Sequence, residues 1–289
     1  MHLQEIDAAL TTTTPGDYLL GHSALEQRRL AEQAVILQPM TARLLDDAGM
    51  RRGMRVLDVG CGVGDVTCLV ADMAGPEGEV VGLDFACSVL STARSRAASR
   101  GLAWARFVEG NVAEVSLEEL GSTQFDAVVG RLVLMYQPDP AAVLRHLSSM
   151  VRPGGVVAFL EGVGLPPLSR PYRPLYVGLM GRLLATFELS GARVDMGLCL
   201  HQAFVQAGLP EPEVRLEGMV IAGPDAPGFR WLTELVRSTL PAMERLGVAT
   251  AEEIEIDTLA DRLAREAIAS PGAVCGFGLG GAWVRTPSA

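Results

Sequence analysis

Val56-Leu57-Asp58-Val59-Gly60-Cys61-Gly62-Val63-Gly64 runs an apolar strand into a glycine loop, and a helix begins near Asp65 directly behind it. Glycines at alternate positions allow positive φ and let the backbone come close to a ligand. The run is near to Gly-x-Gly-x-x-Gly, the fingerprint of a dinucleotide pyrophosphate site, but Asp65 stands where the third glycine would be. A carboxylate at a helix N-terminus repels a pyrophosphate. The loop therefore suits a ligand that has no phosphate and carries cationic groups. A second acid follows at a useful interval: Val80-Val81-Gly82-Leu83-Asp84-Phe85 places Asp84 24 residues after Gly60, which suits one strand-helix-strand unit.

The elements that must hold these residues alternate short β-rich runs with longer amphipathic ones from about residue 55 to 161, the pattern of a parallel sheet flanked by helices. Strands are expected at Arg55–Gly60, Glu79–Asp84, Ala105–Glu109, Phe125–Gly130 and Val156–Glu161. Asp139-Pro140 supplies an N-cap and a proline at the first helical position. Arg152-Pro153-Gly154-Gly155 ends that helix and turns the chain into the fifth strand. Later strands are expected at Val214–Ile221 and Gly276–Arg285.

These features, with the turn Gly110-Asn111, come in an order and spacing that resembles the class I S-adenosylmethionine (SAM)-dependent methyltransferases, from about residue 50 to 161. The resemblance implies an α/β, Rossmann-like seven-stranded sheet, parallel with an antiparallel last strand, with helical cap or lid insertions. It implies SAM as cofactor and S-adenosylhomocysteine as product. Asp58, Gly60, Gly62 and Gly64 would bracket the methionyl part, Asp84 would hold the ribose hydroxyls, and Phe85 would lie beside the adenine. Asn111, with Val112, takes the place where the family usually has an Asp facing the adenine amino group; its amide can accept there and also donate to a ring nitrogen. Asp17-Tyr18-Leu19-Leu20-Gly21-His22 looks like an opening that folds over SAM with Tyr18 at the methionyl end.

The division expected is a helical flap at 1–50, the SAM-binding core at 51–165, a helical lid at 166–195, a continuation of the core at 196–222, a second helical insertion at 223–272, and the last strand and tail at 273–289. The flap helix starts at the capping box Ser23-Ala24-Leu25-Glu26 and should kink or split at Pro39. The lid helix from Leu175 onward is apolar on more than one side. The second insertion carries another capping box, Thr250-Ala251-Glu252-Glu253. Apolar helices at 175–189 and 229–246 raise the prospect of a homodimer.

Methyl transfer is an in-line displacement that asks mainly for alignment and exclusion of water, so a base is optional. The candidates are His22 in the flap and Glu161 at the rim of the fifth strand. Arg131, after the fourth strand, would pair with the SAM carboxylate or fix an anionic substrate. Tyr136, Arg173 and Tyr176 are candidates for holding the acceptor. Gly130-Arg131-Leu132-Val133 stands where nucleobase and many amine methyltransferases place Asp/Asn-Pro-Pro-Tyr, and it offers no acid for a magnesium site, so no metal is expected.

The formal charge is −10 and every basic residue is Arg, which disfavours a nucleic-acid substrate. Apolar runs are broken too soon for a membrane span, Met1-His2-Leu3-Gln4-Glu5 lacks the marks of a secretory signal, and five scattered cysteines point to reduced thiols. A cytoplasmic enzyme methylating a small hydrophobic metabolite, chiefly at oxygen, in secondary metabolism is the reading these features favour. A SAM-binding enzyme that cyclises or rearranges without methylating, a scaffold of the same fold, and a macromolecular methyltransferase stay open.

Overall fold

The computed structural model describes residues 24–288, the side chains of 24–32, 34 and 35 excepted. In chain order the elements are α1 (Ala24–Asp47), β1 (Arg55–Val59), α2 (Asp65–Ala74), β2 (Glu79–Asp84), α3 (Cys87–Ser99), β3 (Ala105–Glu109), β4 (Phe125–Arg131), α4 (Pro140–Ser149), β5 (Val151–Gly162), β6 (Ser169–Arg170), α5 (Pro174–Leu189), α6 (Met196–Gln206), β7 (Glu213–Ala222), α7 (Pro227–Arg245), α8 (Ala251–Ile254), α9 (Leu259–Ala269) and β8 (Ala273–Arg285).

Strands β1 and β2 are almost wholly buried apolar runs, as strands covered on both faces must be. The sheet order is β3-β2-β1-β4-β5-β8-β6, with β7 paired to the other edge of β8. β8 runs antiparallel to β5, β6 and β7, while the first five strands are parallel. The expected Rossmann-like α/β sheet with an antiparallel last strand is present, with the two-residue β6 making eight strands instead of seven. The order reverses between β1 and β4, which opens a crevice at the carboxyl ends of those strands.

Gly162, the last residue of β5, pairs with Leu279, so residues 273–278 of β8 continue past the rim, where they pair with β7 and β6. This raised corner of the sheet carries the helices α5, α7, α8 and α9. They share one apolar cluster, including Tyr176, Leu179 and Leu183 of α5, Phe229, Trp231 and Leu232 of α7, and Leu259 and Leu263 of α9. Glu266 of α9 accepts the N–H groups of Leu175 and Tyr176 at 2.8 and 3.2 Å, capping α5 from the other insertion. The two surplus stretches, expected as separate insertions, thus pack as one helical unit, hereafter the lid. The apolar faces that suggested a homodimer are spent on each other inside one chain.

Two local expectations change. α1 is not split at Pro39, because the loss of one helical hydrogen bond there is outweighed by burial of Leu37, Met40, Leu44 and Leu45 against the sheet. Arg152-Pro153-Gly154-Gly155 is a bulge inside β5 and not a turn before it: pairing jumps from Phe125↔Val151 to Ala127↔Val156, with Gly154 at φ 73°. The capping box Thr250/Glu253 forms as expected, with bonds of 3.2 and 2.9 Å. Ser23 of the first box lies outside the described residues.

Candidate functional site

The loop between β1 and α2 is tied to the end of β2. The Asp84 carboxylate accepts the N–H of Gly62 and of Ala86, both at 2.9 Å, and Cys61 N–H donates to Leu83 O at 2.9 Å. The three loop glycines, at φ 62°, 53° and 83°, do different work. A Cβ at Gly60 would lie 2.5 Å from Val133 Cγ2, and one at Gly64 would crowd Ala93 and Phe107, whereas one at Gly62 would meet nothing within 4 Å. Gly60 and Gly64 serve packing, and Gly62 is the point where bare backbone borders open space. Phe85, next to Asp84, is 51% exposed and offers an aromatic face beside that space.

Beneath the loop, Asp58 is 1% exposed and accepts a 2.6 Å hydrogen bond from Thr67 Oγ1 of α2. Burial pushes its carboxyl up to about 7; Thr67 and the Arg131 guanidinium pull the other way, and Asp84 and Asp65 add to the rise. Arg131, at the end of β4, donates from Nη1 to Thr41 Oγ1 of α1 at 3.1 Å, and burial lowers its pKa against the attraction of Asp65 and Asp58. Asp58 thus faces inward, beneath the loop, with Thr67 as its partner. Asp65 also differs from its expectation: it is paired with Arg96 of α3, which in addition donates to Val63 O at 2.9 Å. Its charge is offset by a partner, which reduces the repulsion Asp65 would exert on a pyrophosphate.

Glu161 is fully buried, and its carboxylate accepts the N–H groups of Val133, Leu134 and Met135 at 2.9, 2.8 and 3.3 Å. Burial drives its carboxyl up to about 7 in spite of those three donors. It caps the 3-10 turn Leu134–Tyr136 after β4, a structural role that the expectation of a catalytic one did not include. Directly before that turn, Leu132 is held at φ 58°, an unusual conformation for a branched side chain at the rim.

Asn111 and Val112 follow β3, but Asn111 Oδ1 already accepts Ala113 N–H at 3.0 Å, fixing the turn and leaving its NH2 as the outward group. The three residues expected to hold an acceptor are not brought together. Tyr136 packs at the edge of the cluster on the α4 and α6 side of the sheet. Tyr176 is fully buried in the lid core with its hydroxyl donating to Cys275 O. Arg173 is 1% exposed and donates from Nη2 to Ser270 O at 2.9 Å and Gly272 O at 3.1 Å. Burial inside the lid removes Arg173 and Tyr176 from an open pocket wall. Tyr18 and His22 lie outside the described residues.

Sequence reasoning missed Thr67, Thr41 and Arg96, which orient Asp58, Arg131 and the glycine loop. The spacing of Thr67, nine residues after Asp58 and one helical turn past the loop, is the only signal of the three that a sequence carries. Thr41 and Arg96 act from other elements.

Residues 50–185 match a family model described as a methyltransferase domain. A demethylmenaquinone methyltransferase from Staphylococcus aureus is 33% identical over 134 residues, 46% of this chain, and the chain spans 51% of that relative's length. Among solved structures, the YcgJ protein of Bacillus subtilis superimposes with a TM-score of 0.54 at 16% identity, covering 86% of this chain and 98% of that one. The [4+2]-cyclase SpnF gives a TM-score of 0.50 at 18% identity, covering 87% and 82%. Among the described residues, no helix is long and apolar enough to cross a membrane. With this sheet order, this glycine loop and this family match, residues 50–185 are a methyltransferase domain of the class I SAM-dependent kind, whose cofactor is S-adenosylmethionine.

Proposed function

We propose that the protein methylates a small, largely apolar acceptor at oxygen, as a cytoplasmic enzyme of secondary metabolism that does not act on nucleic acid. The observation that carries the reading is the open face of Gly62, tied by its own N–H to Asp84 and bordered by exposed Phe85. That cradle fits SAM: bare backbone for close approach, an acid for ribose hydroxyls and an aromatic for the adenine. Asp58, Gly60, Gly62, Asp84, Phe85, Asn111, Val112 and Arg131 are assigned to the cofactor. Tyr18 and His22, on the segment leading into α1, are assigned to the methionyl end and to the acceptor side.

When bound, SAM would be held by Gly62, Asp84 and Phe85 and would supply a methyl carbon activated by its sulfonium for in-line displacement by an acceptor oxygen. The chain's part is positional. Glu161 fixes the turn after β4, Arg131 ties α1 to the rim through Thr41, and the lid shuts out water. The Staphylococcus relative is named for methylation of a small molecule, in keeping with an apolar lid over the rim.

Incubation with SAM and a panel of hydroxylated aromatic metabolites is expected to yield S-adenosylhomocysteine in step with a methylated product. The cyclase neighbour keeps a second reading in play, since it shares the fold. Turnover of an acceptor without consumption of SAM, or release of methylthioadenosine, would select that reading.

A further inference from the structure

Trp231 of α7 is 4% exposed, and its indole Nε1 is buried with no hydrogen-bond partner. Buried donors are almost always paired, because an unmade bond carries the full cost of desolvation. Two turns further along the same helix face, Ser238 Oγ is buried and unpartnered as well, while the neighbouring hydroxyls of Thr233 and Thr239 bond back to carbonyls of their own helix. Seven residues of helix separate the two groups by about 10 Å.

The position of Trp231 connects this face to the rim. Its ring meets Phe277 edge-on at 6.1 Å and 70°. Phe277 lies on the part of β8 that rises past β5, and it packs against both the lid cluster and the sheet core. A Cβ at Gly162, the end of β5, would be 3.6 Å from Phe277 Cζ and 4.0 Å from Leu132 Cδ2. Trp231, Phe277, Gly162 and Leu132 thus form a continuous apolar wall from the lid to the carboxyl rim, and Ile36 of α1 packs against the same two clusters.

Resting on the methyltransferase reading above, we infer that Trp231 is an acceptor-positioning residue: its buried, unpartnered Nε1–H takes a hydrogen-bond-accepting oxygen of a planar, otherwise apolar substrate. An indole N–H can only donate, so the wall selects a carbonyl or phenolate oxygen over an ammonium or amide N–H. Of the charged groups at the rim, Glu161 is engaged by backbone N–H groups and Arg131 by Thr41, and within the lid Arg173 has only its Nη2 bonded, with Nε and Nη1 buried and unpartnered.

The test uses full-length protein saturated with S-adenosylhomocysteine and two probes, 2-hydroxy-1,4-naphthoquinone and naphthalene, with Trp231→Phe as the variant. The variant keeps an aromatic ring and removes the N–H. Loss of the bond should weaken the quinone by about tenfold and leave naphthalene unchanged. In 15N-labelled protein, one of three indole N–H resonances, the one missing in the variant, should shift on adding the quinone. Equal quinone affinity in both proteins, an unmoved Trp231 resonance, or no binding of the quinone by a protein that binds S-adenosylhomocysteine would overturn the inference alone. Failure to bind S-adenosylhomocysteine would overturn the methyltransferase reading beneath it.

Discussion

Asp84 accepts the Gly62 N–H at 2.9 Å, so the acid that ends β2 also sets the backbone of the loop that ends β1. One carboxylate thereby joins the ends of two neighbouring strands, and its removal should be felt in the loop before it is felt in the fold. Asp84→Ala is expected to weaken SAM by at least tenfold, since a charged acceptor of two backbone donors is lost. Calorimetry on the folded variant measures this; unchanged affinity would remove Asp84 from the site.

Gly60 and Gly62 should respond differently to the same substitution. Both pay the strain of a left-handed residue, about 1 kcal/mol. Gly60→Ala must also displace Val133, whose Cγ2 would lie 2.5 Å from the new methyl, so its main loss is in thermal stability. Gly62→Ala meets no protein atom and intrudes on the ligand space, so its main loss is in SAM affinity. Equal losses of affinity and stability in the two variants would contradict the assignment.

Glu161→Gln converts an acceptor of three N–H groups into a group that must turn one N–H toward another donor. A loss of about 2 kcal/mol in stability is expected, with turnover per folded molecule kept within a few fold. Urea titration and steady-state kinetics separate the two. Abolished turnover at full stability, with a limb missing from the pH profile, would restore Glu161 as a base.

Asp58 and Glu161 titrate near 7 in the fold, whereas carboxyls of an unfolded chain titrate near about 4. Between those values the native state binds more protons than the unfolded state, so these two groups make stability fall as pH rises through the window. Their contribution is complete below the unfolded values and is lost as pH passes about 7. Asp58→Asn should flatten the decline in thermal midpoint over that range; an unaltered slope would show that Asp58 is ionised throughout.

The central strands were legible because parallel strands buried on both faces read as apolar runs, and β2 matches its expected bounds. The glycine loop was legible because positive φ leaves few residue choices. Side-chain direction was not. Whether Glu161 looks into the rim or under the next turn depends on the register of β5, and a bulge of Arg152–Gly155 shifts how β5 meets β4. Tyr176 and Arg173 looked like binding residues because their type allows it, but the second insertion covers them, and contacts between segments some 90 residues apart leave no local pattern.

The most direct test of the account is to follow a labelled methyl group from SAM in the presence of apolar, oxygen-bearing acceptors. The label should pass into an acceptor product one methyl heavier, with an equal amount of S-adenosylhomocysteine formed, and Asp84→Ala should reduce both together. Acceptor turnover with the label retained in SAM, or no interaction with SAM at all, would contradict it.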